Sequence, residues 1–244
     1  ACQLVLRWHK NTPPWFFPPY STQYASRSID AFGRIMKLAR RGGVRFWCNS
    51  AYTAEQLSVL CGADVARSVV YPATPFLESD AEERQRDPSP DTPPMLLFVS
   101  RVTPHKGHKT VLMVASKVQE VLGRKVQVAF PGRTDGTTYD DDLKAMARQL
   151  DIDLTLPGEV DWAELRRLYA EASVFCCFSE HEGFGLPVYE AARLGVPVVG
   201  WANTAVAESL AGHPLASDRH DIRAFAADCV AALEPKVAAR VVEW

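Results

Sequence analysis

Two carboxylates flank a glycine loop in the stretch EHEGFGLPVYEAARLGVPVV, residues 180–199. Glu182 precedes Gly183-Phe184-Gly185-Leu186-Pro187, and Glu190 follows it. Glycines bring backbone close to a ligand and accept positive φ. Pro187 suits the first turn of a helix, where its missing N–H would have no partner anyway. The exposed N–H groups of such a helix start attract an anion such as phosphate. Glu190, about one turn into the helix, is no phosphate ligand. It can accept hydrogen bonds from a vicinal diol, as acidic residues hold ribose in nucleotide-binding folds. Glu182, on the loop, can face a sugar hydroxyl or a developing positive charge. Together they describe a nucleotide sugar, with phosphate at the glycines, ribose at Glu190 and sugar at Glu182. The plain alternative is two solvated glutamates, but Pro187 and the apolar LGVPVV behind them weigh against it.

Such a loop needs a parallel sheet to hold it, because open parallel sheets bind ligands at the carboxyl ends of their strands. The chain has that organisation. CQLVLRW, VRFWCN and SVVYP read as strands, separated by helices in SRSIDAFGRIMKLARR and in TAEQLSVLCG, which Gly62 closes. LESDAEERQRDPSPDTPP is charged and proline-rich without a core pattern, and reads as a linker. Alternation then resumes: strands in MLLFVS, KVQVAFPG, LTLPG, SVFCCFS and PVVGW, helices between them and in DIRAFAADCVAALE. The expected organisation is a partial N-terminal Rossmann-like unit over 1–77, a linker over 78–94 and a complete C-terminal Rossmann-like unit over 95–244.

Net charge of −2 and a pI near 6.3 give no reason to expect nucleic acid. No apolar run is long enough to span a membrane, and the N-terminal apolar run reads as a strand, not a signal peptide. The six cysteines, Cys2, Cys48, Cys61, Cys176, Cys177 and Cys229, form no C-x-x-C pair and read as reduced core residues of a cytoplasmic protein.

The pattern EGFGLP..E.....G.PVV resembles that of the retaining GT-B glycosyltransferases of family 4, with a likeness that runs from about Met95 to Leu233. The segment SRVTPHKGH is similar to the family's arginine-and-lysine segment, which implies that Arg101 and Lys106 hold the nucleotide diphosphate. Two fixed cations would stabilise the charge that appears as the glycosidic bond breaks. KVQVAFPG, ending in Gly132, supplies a strand end for the same donor site. LPGEV, with Gly158 and Val160, matches where the family's backbone meets the base, and NTAVAE, with Thr204, matches the loop near the diphosphate. LRWHKNTPPWFFPPY is similar to an N-terminal-domain segment, often His-Asn-x-Thr-Pro, so His9 would approach the donor sugar across the cleft. Here Lys10 stands where asparagine is usual. The resemblance implies a GT-B fold and transfer of a hexosyl group from a UDP- or GDP-sugar to a carbohydrate or lipid-linked acceptor, with no metal and no other cofactor. Glu182, with Phe184 and Leu186 and the glycine amides between them, would hold the sugar. The first unit lacks the strand and glycine-rich loop with which the family's N-terminal domain begins. The expectation is therefore a fragment or a reduced protein, with a second reading as a non-catalytic binding subunit completed by a partner chain. Epimerisation of a nucleotide sugar is a third reading, which no further acid/base constellation favours.

Other charged groups read more plainly. Asp140-Asp141-Asp142 reads as the acidic first turn of a helix rather than as a metal site. His105, His108 and His181 read as surface or loop residues. Arg34, Lys37, Arg40, Arg41 and Arg45 read as a solvated helix end. The sharper reading of that cluster is attraction to anionic lipid, which would place the protein peripherally at the inner membrane face.

Overall fold

The computed structural model describes residues 4–74 and 92–242. The expected linker falls outside them except for its last three residues, and Cys2 falls outside as well.

Three parallel strands, β1 (Leu4–Trp8), β2 (Val44–Cys48) and β3 (Arg67–Val69), form the first sheet in the order β1-β2-β3. The helices α1 (Thr22–Arg40) and α2 (Ala51–Cys61) connect them. Two crossovers that run in the same direction and share one hand place both helices on one face. Trp8, Ile35, Phe46, Cys48, Ala54 and Leu57 fill the small core between. Strand alternation sends the other residues outward. Val5 and Trp47 are each 42% exposed, beside exposed Arg7 and Arg45.

The second sheet carries six parallel strands in the order β6-β5-β4-β7-β8-β9. They are β4 (Met95–Leu97), β5 (Gln127–Pro131), β6 (Asp153–Gly158), β7 (Val174–Cys177), β8 (Val198–Trp201) and β9 (Ala216–Ser217). Between them run α3 (His108–Leu122), α4 (Tyr139–Gln149), α5 (Trp162–Glu171), α6 (Leu186–Arg193) and the short α7 (Val206–Ser209). After them come α8 (Ile222–Ala232) and α9 (Pro235–Val242). β4 and β7 are buried at every position, as strands covered on both faces must be. The chain winds one way from β4 to β6 and the other way from β7 to β9. The order therefore reverses between β4 and β7, and the loops after these two strands diverge to open a crevice.

No described helix is long and apolar enough to cross a membrane. Cys48, Cys176, Cys177 and Cys229 are buried and free, and Cys61 is half-buried and free. Asp140, Asp141 and Asp142 occupy the first turn of α4, as expected, and Asp142 accepts from Tyr20 and Lys109, each at 3.0 Å. Arg34, Lys37, Arg40, Arg41 and Arg45 are all exposed at the end of α1 and the start of β2.

Candidate functional site

The loop after β4 carries Arg101 and Lys106, and the loop after β7 carries Glu182, so the strand-order reversal brings all three to one crevice. Lys106 is 9% exposed, and its ammonium is ion-paired with Oε1 of Glu182. Ser179 also donates to Oε1, at 3.1 Å. The Glu182 amide donates to the hydroxyl of Thr204, at 3.2 Å, so the loop before α7 is tied to the same carboxylate segment. Burial works against the charged form of Glu182. The charges of Lys106 and Lys10, with hydrogen bonds from Lys106 and Ser179, outweigh it and pull the carboxyl down to about 2. Glu182 is thus a fixed anion at neutral pH.

Two glycines make the next turn possible. A Cβ on Gly183 would lie 2.5 Å from the carbonyl oxygen of His9, so only glycine lets the two units meet here. Gly185 caps α6 at φ 93°, a left-handed conformation that other residues adopt at a cost. Pro187 sits in the first turn of α6, as expected. Leu186, the first residue of the helix, is half-buried. Phe184 stacks on Tyr189, with ring centroids 5.1 Å apart, and also meets Tyr71 of the first unit.

Glu190 is 7% exposed on α6. Thr74 donates to its Oε1 at 2.8 Å, and Tyr169 to its Oε2 at 2.9 Å. Each carboxylate oxygen keeps a lone pair beyond the one these hydroxyls use. Gly132 and Gly158 adjoin at the ends of β5 and β6, where the Gly132 amide donates to the Gly158 carbonyl at 2.8 Å. Val160 packs on the core two residues further on. The side chain of His9 is exposed, and what reaches the loop is its carbonyl, against Gly183.

The three histidines expected at the surface or in loops are all buried, although His181 does lie in a loop: His105 is 1% exposed, His108 0% and His181 8%. The reason is the meeting of the two units, since the aromatic turn of the first unit covers two of these rings. His105 packs against Phe16 and Phe17, and His181 against Phe16. The Nε2–H of His181 donates to the carbonyl of Asn11 at 3.1 Å. Burial pushes His181 down to about 4 and His108 to about 3.

A cleft of about 480 Å³ lies between the units. Lys10 and Arg27 face it from one side, and Arg101, Arg133 and Asp135 from the other. Thr74, Tyr169 and Arg133 carry no local signature in the sequence. Lys10 did carry one, as the position where the N-terminal motif departs from its usual asparagine.

Residues 79–235 match the family model described as glycosyl transferases group 1. The chain belongs to the glycosyl transferases group 1 family. Among curated members, the GDP-mannose:cellobiosyl-diphosphopolyprenol alpha-mannosyltransferase of Komagataeibacter xylinus is 36% identical over 144 residues, 56% of this chain and 36% of that protein. The D-inositol 3-phosphate glycosyltransferase of Kribbella flavida is 30% identical over 211 residues, 78% of this chain and 48% of that protein. The chain thus spans less than half the length of either group 1 relative. Among solved structures, Anabaena HepE in complex with UDP and glucose superposes with a TM-score of 0.77 at 16% identity, over 98% of this chain and 64% of that one. A sucrose-phosphate synthase from Thermosynechococcus elongatus gives the same TM-score at 18% identity, over 98% and 61%. At these identities the structural likeness shows the fold, and that fold is GT-B, as the sequence pattern implied.

Proposed function

We propose that the protein transfers a hexosyl group from a UDP- or GDP-sugar to a carbohydrate or lipid-linked acceptor, with retention of anomeric configuration and without a metal. The observation that carries this reading is the buried Lys106–Glu182 pair at the strand-order reversal, just ahead of the α6 N-terminus. Opposite charges fixed so close together suit a bond that breaks heterolytically. The leaving diphosphate gains negative charge, which Arg101, Lys106 and the amides at the start of α6 stabilise without reorganising. The sugar gains positive charge, which ionised Glu182 faces. A carboxyl held near 2 is no proton donor at neutral pH, so Glu182 acts in this scheme as an electrostatic partner and a sugar ligand.

The remaining groups follow from their places. Glu190 takes the ribose diol with lone pairs left free by Thr74 and Tyr169. The backbone at Gly132, Gly158 and Val160 borders the base. Thr204 stands near the diphosphate, and Gly183 to Leu186 border the sugar. His9, beside the point of closest approach between the units, is assigned to the acceptor side of the sugar. On this reading, residues 1–77 serve the acceptor and 95–244 the donor. One relative's name pairs GDP-mannose with a diphosphopolyprenol-linked sugar, which makes that donor and that acceptor class the first to test.

The test is product formation from labelled GDP-mannose or UDP-glucose with a polyprenyl-diphosphate disaccharide, with and without EDTA, followed by determination of the anomeric configuration. Acceptor-dependent transfer that survives EDTA and retains configuration is the expected result. Inversion, or a metal requirement, would overturn the corresponding part.

Val5 and Trp47, exposed on the outer face of the first sheet among the described residues, favour a second reading. In it this chain binds the donor and turns it over only when another chain covers that face. Transfer by the isolated chain would exclude it.

A further inference from the structure

Lys10 stands at the carboxyl end of β1 with φ 86°, a left-handed conformation that a residue with a side chain adopts at some cost. Its side chain runs along the Gly183 loop, where a Cβ on Gly183 would lie 3.3 Å from the Lys10 Cδ. Its Nζ is buried and has no hydrogen-bond partner among the described residues. The nearest carboxylate, Glu182, is already paired with Lys106. Backbone strain and an orphaned buried amine are both unfavourable in the free protein, and such features persist where a ligand relieves them. The cleft that Lys10 lines holds Arg27, Arg101 and Arg133 against a single acid, Asp135.

We infer that Lys10 is a diphosphate ligand supplied by the first unit, closing on the anion from the side opposite Arg101 and Lys106. This deepens the donor-site reading above and rests on it. An anion in the cleft would give Nζ the acceptor it lacks and would connect the two units through the leaving group. Asparagine at this position could offer a hydrogen bond but no charge.

Ligand entry and protonation of Lys10 are then linked. Burial pulls the amine down to about 6, with Glu182 opposing the shift and Lys106 and Arg101 adding to it. Free Lys10 is therefore mostly neutral at pH 8 and takes up a proton when the anion arrives. Of the groups around it, Glu182 is held at about 2 and His181 at about 4, and His105 is pushed far below its ordinary value. Lys106, Arg27, Arg101, Arg133 and Asp135 also face the amine or its cleft. His9, on the same strand end, is also pushed down, by burial and by Arg7.

The experiment is calorimetric titration of the full chain with GDP and with UDP at pH 7 and pH 8.5, each in two buffers of different ionisation enthalpy. Over this range the terminal phosphate, with a pKa of about 6, is ionised. Wild type should take up about one proton per nucleotide at pH 8.5 and bind about tenfold more weakly for each pH unit above 7. Lys10→Met should take up none, lose that pH dependence and bind at least tenfold more weakly at pH 7. It should also melt at a higher temperature, because the buried amine is gone. Lys10→Arg should keep the affinity without the uptake. Nucleotide binding by wild type with no proton uptake, or with the same pH profile in Lys10→Met, overturns the role of Lys10 and leaves the donor site standing. Binding of neither nucleotide by folded wild type overturns both.

Discussion

The hydroxyl of Thr74 donates to Oε1 of Glu190 at 2.8 Å, which joins the end of the first unit to the first helix after the glycine loop. With Tyr169 on Oε2, it fixes a buried carboxylate in one orientation. Tyr169→Phe and Thr74→Val should each leave the fold intact and weaken GDP or UDP binding about fivefold, the equivalent of ~1 kcal/mol for one oriented hydrogen bond. Nucleotide titration of the two variants checks this. Unchanged affinity in both would mean that the orientation of Glu190 does not matter to the ligand.

The Lys106–Glu182 pair should respond asymmetrically. Lys106→Met leaves a buried carboxylate without its cation and should cost about 3–5 kcal/mol of stability. The double variant Lys106→Met/Glu182→Gln should recover most of that loss and yet transfer no sugar. Urea unfolding separates the two effects from activity.

Gly183→Ala puts a methyl against the His9 carbonyl, so the units must separate or the loop must shift. The expected cost is about 1–3 kcal/mol, with weakened nucleotide binding. Thermal melting and titration of the variant would show both, and a variant identical to wild type in both would contradict the close approach.

Glu208 of α7 accepts from the backbone amides of Ala51, at 2.9 Å, and Tyr52, capping α2 across the unit boundary. Glu208→Ala should speed hydrogen exchange at these two amides and cost about 1 kcal/mol.

Stability should rise with pH from about 4 to beyond neutrality. Burial lowers His105, His108, His181 and His213 below their ordinary value of 6.5, so between pH 4 and 6.5 the unfolded chain binds protons that the folded chain does not. The contribution of Lys10, also lowered, has the same sign from about pH 6 upward. Glu182 adds a further loss in strong acid: its stabilisation is complete above its ordinary 4.5 and disappears as pH falls through about 2. Urea midpoints at pH 5 and pH 7.5 test this, with the lower midpoint expected at pH 5.

The second unit was legible in the sequence because it depends on local patterns. Strands such as SVFCCFS are apolar throughout, and Gly185 and Pro187 mark the start of α6 in the chain itself. The Glu182–Lys106 contact, by contrast, spans two loops that only the strand order brings together. The burial of the histidines expected at the surface or in loops shows the limit most clearly. His105 and His181 sit in polar loops, and nothing local indicates that Phe16 and Phe17, far away in the chain, will cover them. The short β9 and α7 have too few residues to show periodicity.

Under the proposed function this crevice holds a nucleotide diphosphate through Arg101, Lys106 and Glu190. The deciding measurement is titration of wild type, Glu190→Gln and Arg101→Ala with GDP and UDP at pH 7. Saturable binding of one nucleotide by wild type, weakened at least tenfold in each variant while both remain folded, is the predicted result and also identifies the base. Equal binding by all three proteins would contradict the account, as would no binding of either nucleotide by folded wild type.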